Sequence, residues 1–207
     1  MNPRLVQRLL WGTLAVCLAV VATVSITTWV RQSRHRTLPD FGAIPFWSLL
    51  DQTGQPSTLE NVRGHIWIGN VIFTHCSTLC PMLTEKMYAL QQALREQPNV
   101  KLLSFSVDPK HDTPDTLAAY AAAHHADPRR WSFLTGTSPE LYKVIKDGFH
   151  LPLDSVGGDQ EIPILHSNKF VLVDAFGHMR GYYDGAQDSS RALILADIES
   201  LNSEAKP

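Results

Sequence analysis

The stretch IWIGNVIFTHCSTLCPMLTEKMYALQQAL, Ile66 to Leu94, changes its hydrophobic period midway, and two cysteines mark the change. Ile66 to Phe73 is apolar and rich in β-branched and aromatic residues, as a strand covered on both faces requires. Beyond it, Leu79, Leu83, Met87, Leu90 and Leu94 recur at steps of four and three, one face of an amphipathic helix that ends before Pro98. Val100 to Val107 (VKLLSFSV) is a second strand of the same buried kind. The unit is therefore strand, helix, strand, with both strands parallel and central.

Working outward, Phe46 to Leu50 and Gln55 to Leu59 flank Asp51-Gln52-Thr53-Gly54, which predicts an N-terminal hairpin with Gly54 at the position needing positive φ. Downstream, Thr113 and Pro114 supply an N-cap and a first-turn proline for a helix running to about His125. Trp131 to Thr135 reads as a short strand and Pro139 to Lys146 as a helix. Phe170 to Asp174 pairs with His178 to Tyr183 across Ala175, Phe176 and Gly177, and Ser189 to Asn202 closes the chain as a helix. This order fits a three-layer α/β sandwich of thioredoxin-like architecture, preceded by an N-terminal β-hairpin.

Before that domain, which is expected over residues 41–207, the chain carries a short tail (1–8), an apolar segment (9–30) and a polar, pattern-free linker (31–40). Leu9 to Val30 contains twenty-two residues without a charge, about 33 Å as a helix, enough to span a bilayer as a retained anchor. A cleavable signal peptide is the rival reading, with Val20, Val21 and Ala22 as a weak site, but its apolar region is normally shorter. Cys17 reads as an apolar thiol, because Val16 stands where a lipoprotein signal needs a small residue. Arg4 and Arg8 on one side and Arg31, Arg34 and Arg36 on the other leave orientation unassigned by charge. With 18 Lys and Arg against 20 Asp and Glu, a formal charge of −2, and no basic block outside the N-terminal region, the chain has no nucleic-acid footprint.

Cys76 and Cys80 lie where the strand gives way to the helix. A bridge between them closes too short a loop to stabilise the chain much, so a structural staple is a poor explanation. The C-terminal end of a central strand and the N-terminus of its helix is where open α/β sheets gather ligands and where backbone N–H groups favour a thiolate. Cys80 shares the Leu83 and Met87 stripe, so Cys76 is expected to be the more exposed sulfur. A C-x-x-C pair is the usual redox dithiol; the extra residue lets the sulfurs converge on an ion as well as on each other. A zinc site wants a second ligand pair, which is missing, and soft thiolates with one imidazole suit Cu(I) better. The binuclear copper pattern of cytochrome c oxidase subunit two, Cys-x3-Cys-x3-His-x2-Met, has Thr84 here in place of His, so Met87 reads as core.

Four stretches together resemble the SCO/SenC family of membrane-anchored thioredoxin-fold copper chaperones of cytochrome c oxidase assembly. They are FTHCSTLCP (Phe73 to Pro81), SVDPKHDTP (Ser106 to Pro114), LHSNKFVLVDAFG (Leu165 to Gly177) and FWSLLDQTGQP (Phe46 to Pro56). The resemblance implies that Cys76, Cys80 and His166 are the ligands of one copper ion, held as Cu(I), or as Cu(II) if a fourth ligand or water joins. Asp108 and Asp112 are expected at the end of the neighbouring parallel strand, close to the cysteine loop, where family members carry acidic residues, Asp108 as an outer partner of the site. His75 reads as an outer partner or an exposed side chain, Asp112 as a turn former before the Thr113-capped helix, and His124 and His125 as solvent-facing at a helix end. Ser77 departs from the family's usual Pro, which leaves the loop freer to close as a disulfide. The segment Leu153 to Pro163, with Gly157 and Gly158, is loose enough to carry His166 in and out.

The resemblance also implies a single-pass protein of the bacterial cytoplasmic membrane with its domain on the periplasmic side; an Arg- and Ser-rich transit peptide for a mitochondrial location is missing. The expected acceptor is cytochrome c oxidase subunit two or another copper-requiring oxidase subunit, with other periplasmic copper chaperones or thiol oxidoreductases as further partners. The alternative is a membrane-anchored thiol-disulfide reductase, in which Cys76 attacks and Cys80 resolves, keeping oxidase copper-site cysteines reduced. A thiol peroxidase is disfavoured, because the Thr and Cys spacing in THC does not match the peroxiredoxin pattern.

Overall fold

A computed structural model describes residues 37–76, 79–151 and 167–204, with positions 4, 11–14, 16–18, 20, 21 and 23 of the N-terminal segment. The expected anchor at 9–30 lies mostly outside these residues, as do 31–36 of the linker. Its described apolar positions, among them Trp11, Val16 and Leu18, are helical and exposed. Among the described residues no helix is long and apolar enough to cross a membrane.

The hairpin forms as strands β1 (Ser48–Leu50) and β2 (Pro56–Thr58), antiparallel, with Leu49 opposite Ser57. Gly54 takes φ 75°, the left-handed conformation that closes this turn. A one-turn helix α1 (Leu59–Val62) leads into β3 (Ile66–Ile72), every residue of which is buried. Helix α2 (Leu79–Ala93) returns the chain to β4 (Val100–Ser106), paired parallel to β3 from Ile66↔Val100 to Ile72↔Ser106. Helix α3 (Pro114–Ala123) and strand β5 (Trp131–Leu134) complete the parallel half. Helix α4 (Ser138–Tyr142) runs on as a wider i→i+5 turn, Lys143–Gly148. The chain then returns as β6 (Lys169–Val173) and β7 (Met179–Asp184), and α5 (Ser189–Glu204) follows. The sheet order is β5-β4-β3-β6-β7, with β6 antiparallel to β3 and β7 to β6.

Alternation along β3 divides the core in two. Ile66, Ile68 and Ile72 pack with Leu83, Met87, Leu90 and Leu94 of α2 and Ile194 and Ile198 of α5. Trp67 and Val71 face the other way, onto the hairpin, α1 and α4, where Trp47, Phe105 and Phe149 form an edge-to-face cluster with ring centroids 5.7 and 5.1 Å apart. On that face Gly69 is required: a Cβ there would stand 2.9 Å from Val171 Cγ2 and 3.0 Å from the Trp67 ring. Met87 is fully buried, as its place in the helical stripe predicts.

Three boundaries differ from expectation. Helix α3 stops at Ala123, because His125 adopts a left-handed φ of 55° and ends the turn. The helix expected over Pro139 to Lys146 changes to the wider turn at Lys143, which brings Val144, Ile145 and Phe149 into the core. Leu38, near the end of the expected linker, is already buried, and Arg180 holds this segment by donating to the carbonyls of Leu38 and Pro39 at 2.9 Å each.

The C-terminal ends of β3 and β4 are joined by one side chain. Asp112 is completely buried and accepts from Thr74 Oγ1 at 2.6 Å, Thr74 N–H at 3.2 Å and Ser106 Oγ at 2.6 Å. Thr113 caps α3 immediately afterwards, its Oγ1 accepting from Thr116 N–H at 3.3 Å. Removing the carboxylate strands three donors in a dry junction, so Asp112→Ala is expected to lower unfolding free energy by about 2–4 kcal/mol. Urea denaturation of the full chain measures this; a loss under about 0.5 kcal/mol, the range of neutral surface changes, contradicts the assigned role.

Candidate metal centre

The site begins where β3 runs out. Phe73 to Cys76 forms a turn, Cys76 N–H donating to the Phe73 carbonyl at 3.2 Å, while Val107 N–H donates back to Ile72 at 3.0 Å. Asp112 fixes the turn through Thr74, as described above. Cys76, half-buried, follows the turn, and Cys80 enters the first turn of α2.

The two sulfurs have different environments. Cys80 N–H points at Cys76 Sγ, 3.4 Å away, so the helix N-terminus presents a donor to that sulfur. Cys80 itself is buried, and burial pushes its thiol up to about 12; a backbone hydrogen bond from Phe73 opposes the shift, while its hydrogen bond with Cys76 and the charges of Cys76 and Asp112 add to it. The expected order, Cys76 the more exposed and Cys80 on the core stripe, is what the structure has. Tyr120 closes the floor beside them: its hydroxyl lies 2.9 Å from Thr84 Oγ1, and burial raises its pKa to about 12. Thr84, standing where the binuclear copper pattern has a histidine, is thus part of a buried hydroxyl pair.

His166, Ser77 and the loop from Leu153 to Pro163 lie outside the described residues. What the structure gives is the approach to His166. The antiparallel register runs from Trp67↔Val173 to Gly69↔Val171, so β6 begins at Lys169 at the end of the sheet where β3 finishes. Asn168 is pinned there: its side-chain amide donates to Asp184 at 2.6 Å and its carbonyl accepts from Gly185 N–H at 2.6 Å. A Cβ on Gly185 would collide with both that carbonyl and Leu83, one turn beyond Cys80. Among the described residues, no group of three His, Cys, Asp or Glu side chains converges as a metal cage.

Asp108 lies at the end of β4 near the loop, 7% exposed, where it engages His111 Nδ1 at 2.8 Å. His75 is exposed, with its ring centroid 5.5 Å from that of His111. His124 departs from its expected place in solvent: its side chain is 18% exposed, 3.3 Å from Glu85 Oε1 and tilted against the Tyr120 ring, with centroids 4.4 Å apart. Sequence reasoning placed Asp112 beside the cysteine loop without giving it a part in the site, and missed Thr74, Ser106 and His111. The signal was the pairing of FTHC with SVDPKHDTP, two motifs at the ends of neighbouring parallel strands.

Comparison with known proteins bears on the same residues. The SCO1/SenC family profile matches residues 38–203. The SCO1 protein homolog of Bacillus subtilis is 32% identical over 154 residues, 73% of this chain and 79% of that one. The structure of BsSco, described as a Sco-family cytochrome c oxidase assembly protein with a disulfide switch, superimposes with a TM-score of 0.71 at 29% identity, covering 83% of this chain and 98% of that one. ScoI of Bradyrhizobium japonicum, solved with copper bound, shares the fold at a TM-score of 0.64 and 22% identity, over 77% of this chain and 99% of that one. With its matched profile spanning both motifs that build the cysteine turn and the strand that follows His166, the chain belongs to the SCO1/SenC family.

Proposed function

We propose that the protein is a copper metallochaperone: Cys76 and Cys80 as thiolates and His166 as a neutral imidazole take one copper ion as cargo and pass it by stepwise ligand exchange to a copper-requiring oxidase subunit, cytochrome c oxidase subunit two being the expected acceptor. The observation that carries this reading is the junction of β3 and α2. It presents two sulfurs from one turn of chain, one of them beneath a helix N-terminal N–H, at the end of the sheet where β6 brings in the chain that follows His166. Two soft thiolates and one imidazole are a donor set for Cu(I), and a fourth ligand or water would adapt it to Cu(II). Asp108 and Asp112 organise the surrounding loop rather than supply the ligand set. The apolar segment 9–30 would hold this domain at the bacterial cytoplasmic membrane, facing the periplasm, where the acceptor and any partner copper chaperones or thiol oxidoreductases are reached.

A second reading is favoured by the asymmetry of the sulfurs. Half-buried Cys76 is placed to attack a partner's disulfide, and buried Cys80, once it loses its proton, is placed to attack Cys76 Sγ and release the partner as a dithiol, leaving Cys76–Cys80 oxidised. Two electrons pass to the partner in this exchange. His166 separates the readings, because copper needs a third ligand and disulfide exchange does not.

Three measurements follow. In anaerobic Cu(I) competition against a chelator, the reduced full chain is expected to bind one equivalent, with His166→Ala weakening it at least tenfold; unchanged binding in the variant contradicts the three-ligand assignment. Because Cys80 is a thiol at neutral pH and must ionise to bind, each such proton makes affinity rise tenfold per pH unit and fall as pH falls. Between pH 6 and 8, log affinity corrected for the chelator should climb with a slope of at least one, and a flat profile would exclude Cys80 thiolate as a ligand. For the order of attack, iodoacetamide at pH 7 on the copper-free chain should modify Cys76 at least ten times faster than Cys80 by peptide mass mapping; the reverse order would exchange their roles.

A further inference from the structure

The rim of the cysteine turn carries two histidines that the three-ligand site does not use. His75 belongs to the Phe73–Cys76 turn and His111 to the loop after β4, and their rings meet edge to face with centroids 5.5 Å apart. Both are open to solvent, the His111 side chain being 49% exposed. Their hydrogen bonds fix which ring nitrogen is left over. Asp108 presents both carboxylate oxygens to His111 Nδ1, at 2.8 and 2.9 Å, and a carboxylate only accepts, so Nδ1 carries the proton. Thr74 Oγ1 spends its one proton on Asp112 at 2.6 Å, so in its 3.4 Å contact with His75 Nδ1 the imidazole is the donor. Each ring therefore keeps its lone pair on Nε2.

This is the hydrogen bonding of metal-binding imidazoles. A histidine ligand typically donates its other N–H to a carboxylate or another acceptor, which sets its tautomer and aims the ring. Two imidazoles sharing one ion at metal–nitrogen bonds of about 2.0–2.1 Å and a tetrahedral angle have ring centroids about 5 Å apart, close to the separation of His75 and His111. Asp112 fixes the loop of one ring through Thr74, and Asp108 at the base of the same acidic turn fixes the other, so the pair is held from below by the strand ends.

We propose that His75 and His111 form a second cation site, taking one borderline divalent ion through Nε2 of each ring, with water completing its coordination and Asp108 positioning His111. Among such ions the nitrogen donors select Cu(II) most strongly, then Zn(II) or Ni(II), whereas the neighbouring thiolates select Cu(I). One turn of chain thus presents a nitrogen ligand and a sulfur ligand in consecutive residues, His75 and Cys76, for two oxidation states of one metal. The site requires neither Cys80 nor His166.

The test uses the full chain carrying Cys76→Ser and Cys80→Ser, titrated with Cu(II) against glycine and read by electron paramagnetic resonance, so that the thiols contribute nothing. One Cu(II) with coupling to two imidazole nitrogens is expected. Adding His111→Ala, an exposed change that leaves the core intact, should weaken binding at least tenfold and remove one nitrogen coupling. Adding Asp108→Asn should weaken binding about tenfold while both couplings remain, as a positioning carboxylate predicts. Unchanged affinity and coupling in His111→Ala overturn the proposal, as does loss of the ion with His166→Ala in place of His111→Ala. Cu(I) binding by the cysteines of the unmodified chain is read separately, so either result leaves the chaperone reading to stand or fall on its own titration.

Discussion

A buried carboxylate between two parallel strands sets the geometry on which the rest of the site depends. β3 and β4 end side by side, their last backbone bond running from Val107 N–H to the Ile72 carbonyl. Asp112 joins the two strand ends, receiving the Thr74 N–H, the Thr74 hydroxyl and the Ser106 hydroxyl. The turn that delivers Cys76 is therefore tied to the strand beside it, and the loop that delivers Asp108 and His111 is tied by the same group. An unpaired charge in such a place would be costly; here every oxygen of the carboxylate has a donor, so burial rigidifies the junction.

Around that junction the fold separates two sulfurs of one motif into different roles. Cys80 lies on the face of α2 that packs into the core, and burial keeps its proton on; Cys76 precedes the helix and takes the helix N–H. On the proposed chaperone reading, one sulfur must lose a tightly held proton when the cargo arrives. That couples loading to pH and makes release by protonation easier than from two exposed thiolates. The same inequality suits disulfide exchange, which is why the chemistry of the pair alone does not separate carrier from reductase and the third ligand decides.

Much of this was legible in the sequence, and what was legible was local. The change of period at Cys76, the Leu83 and Met87 stripe, the turn at Gly54 and the Thr113-Pro114 cap each depend on neighbours within a few positions, and each forms as read. The relation of Thr74 to Asp112 spans 38 residues and becomes visible only when β3 and β4 pair, so Asp112 read as a turn former. His111 was invisible for the same reason: in SVDPKHDTP it is one polar position among several, and only Asp108 beneath it and His75 across from it give it a direction. The change from α to the wider turn at Lys143 answers to packing of Val144 and Phe149, which periodicity does not encode. His166 and Ser77 lie beyond the described residues, and their roles rest on motif and family.

The central claim is that copper is held by two sulfurs and one nitrogen. Copper K-edge X-ray absorption of the reduced full chain loaded with one equivalent of Cu(I) tests it directly. A Cys76, Cys80 and His166 site gives two sulfur scatterers at about 2.2–2.3 Å and one imidazole nitrogen at about 2.0 Å, the nitrogen disappearing in His166→Ala. A shell of sulfur alone, or of nitrogen and oxygen alone, in the unmodified chain would contradict it.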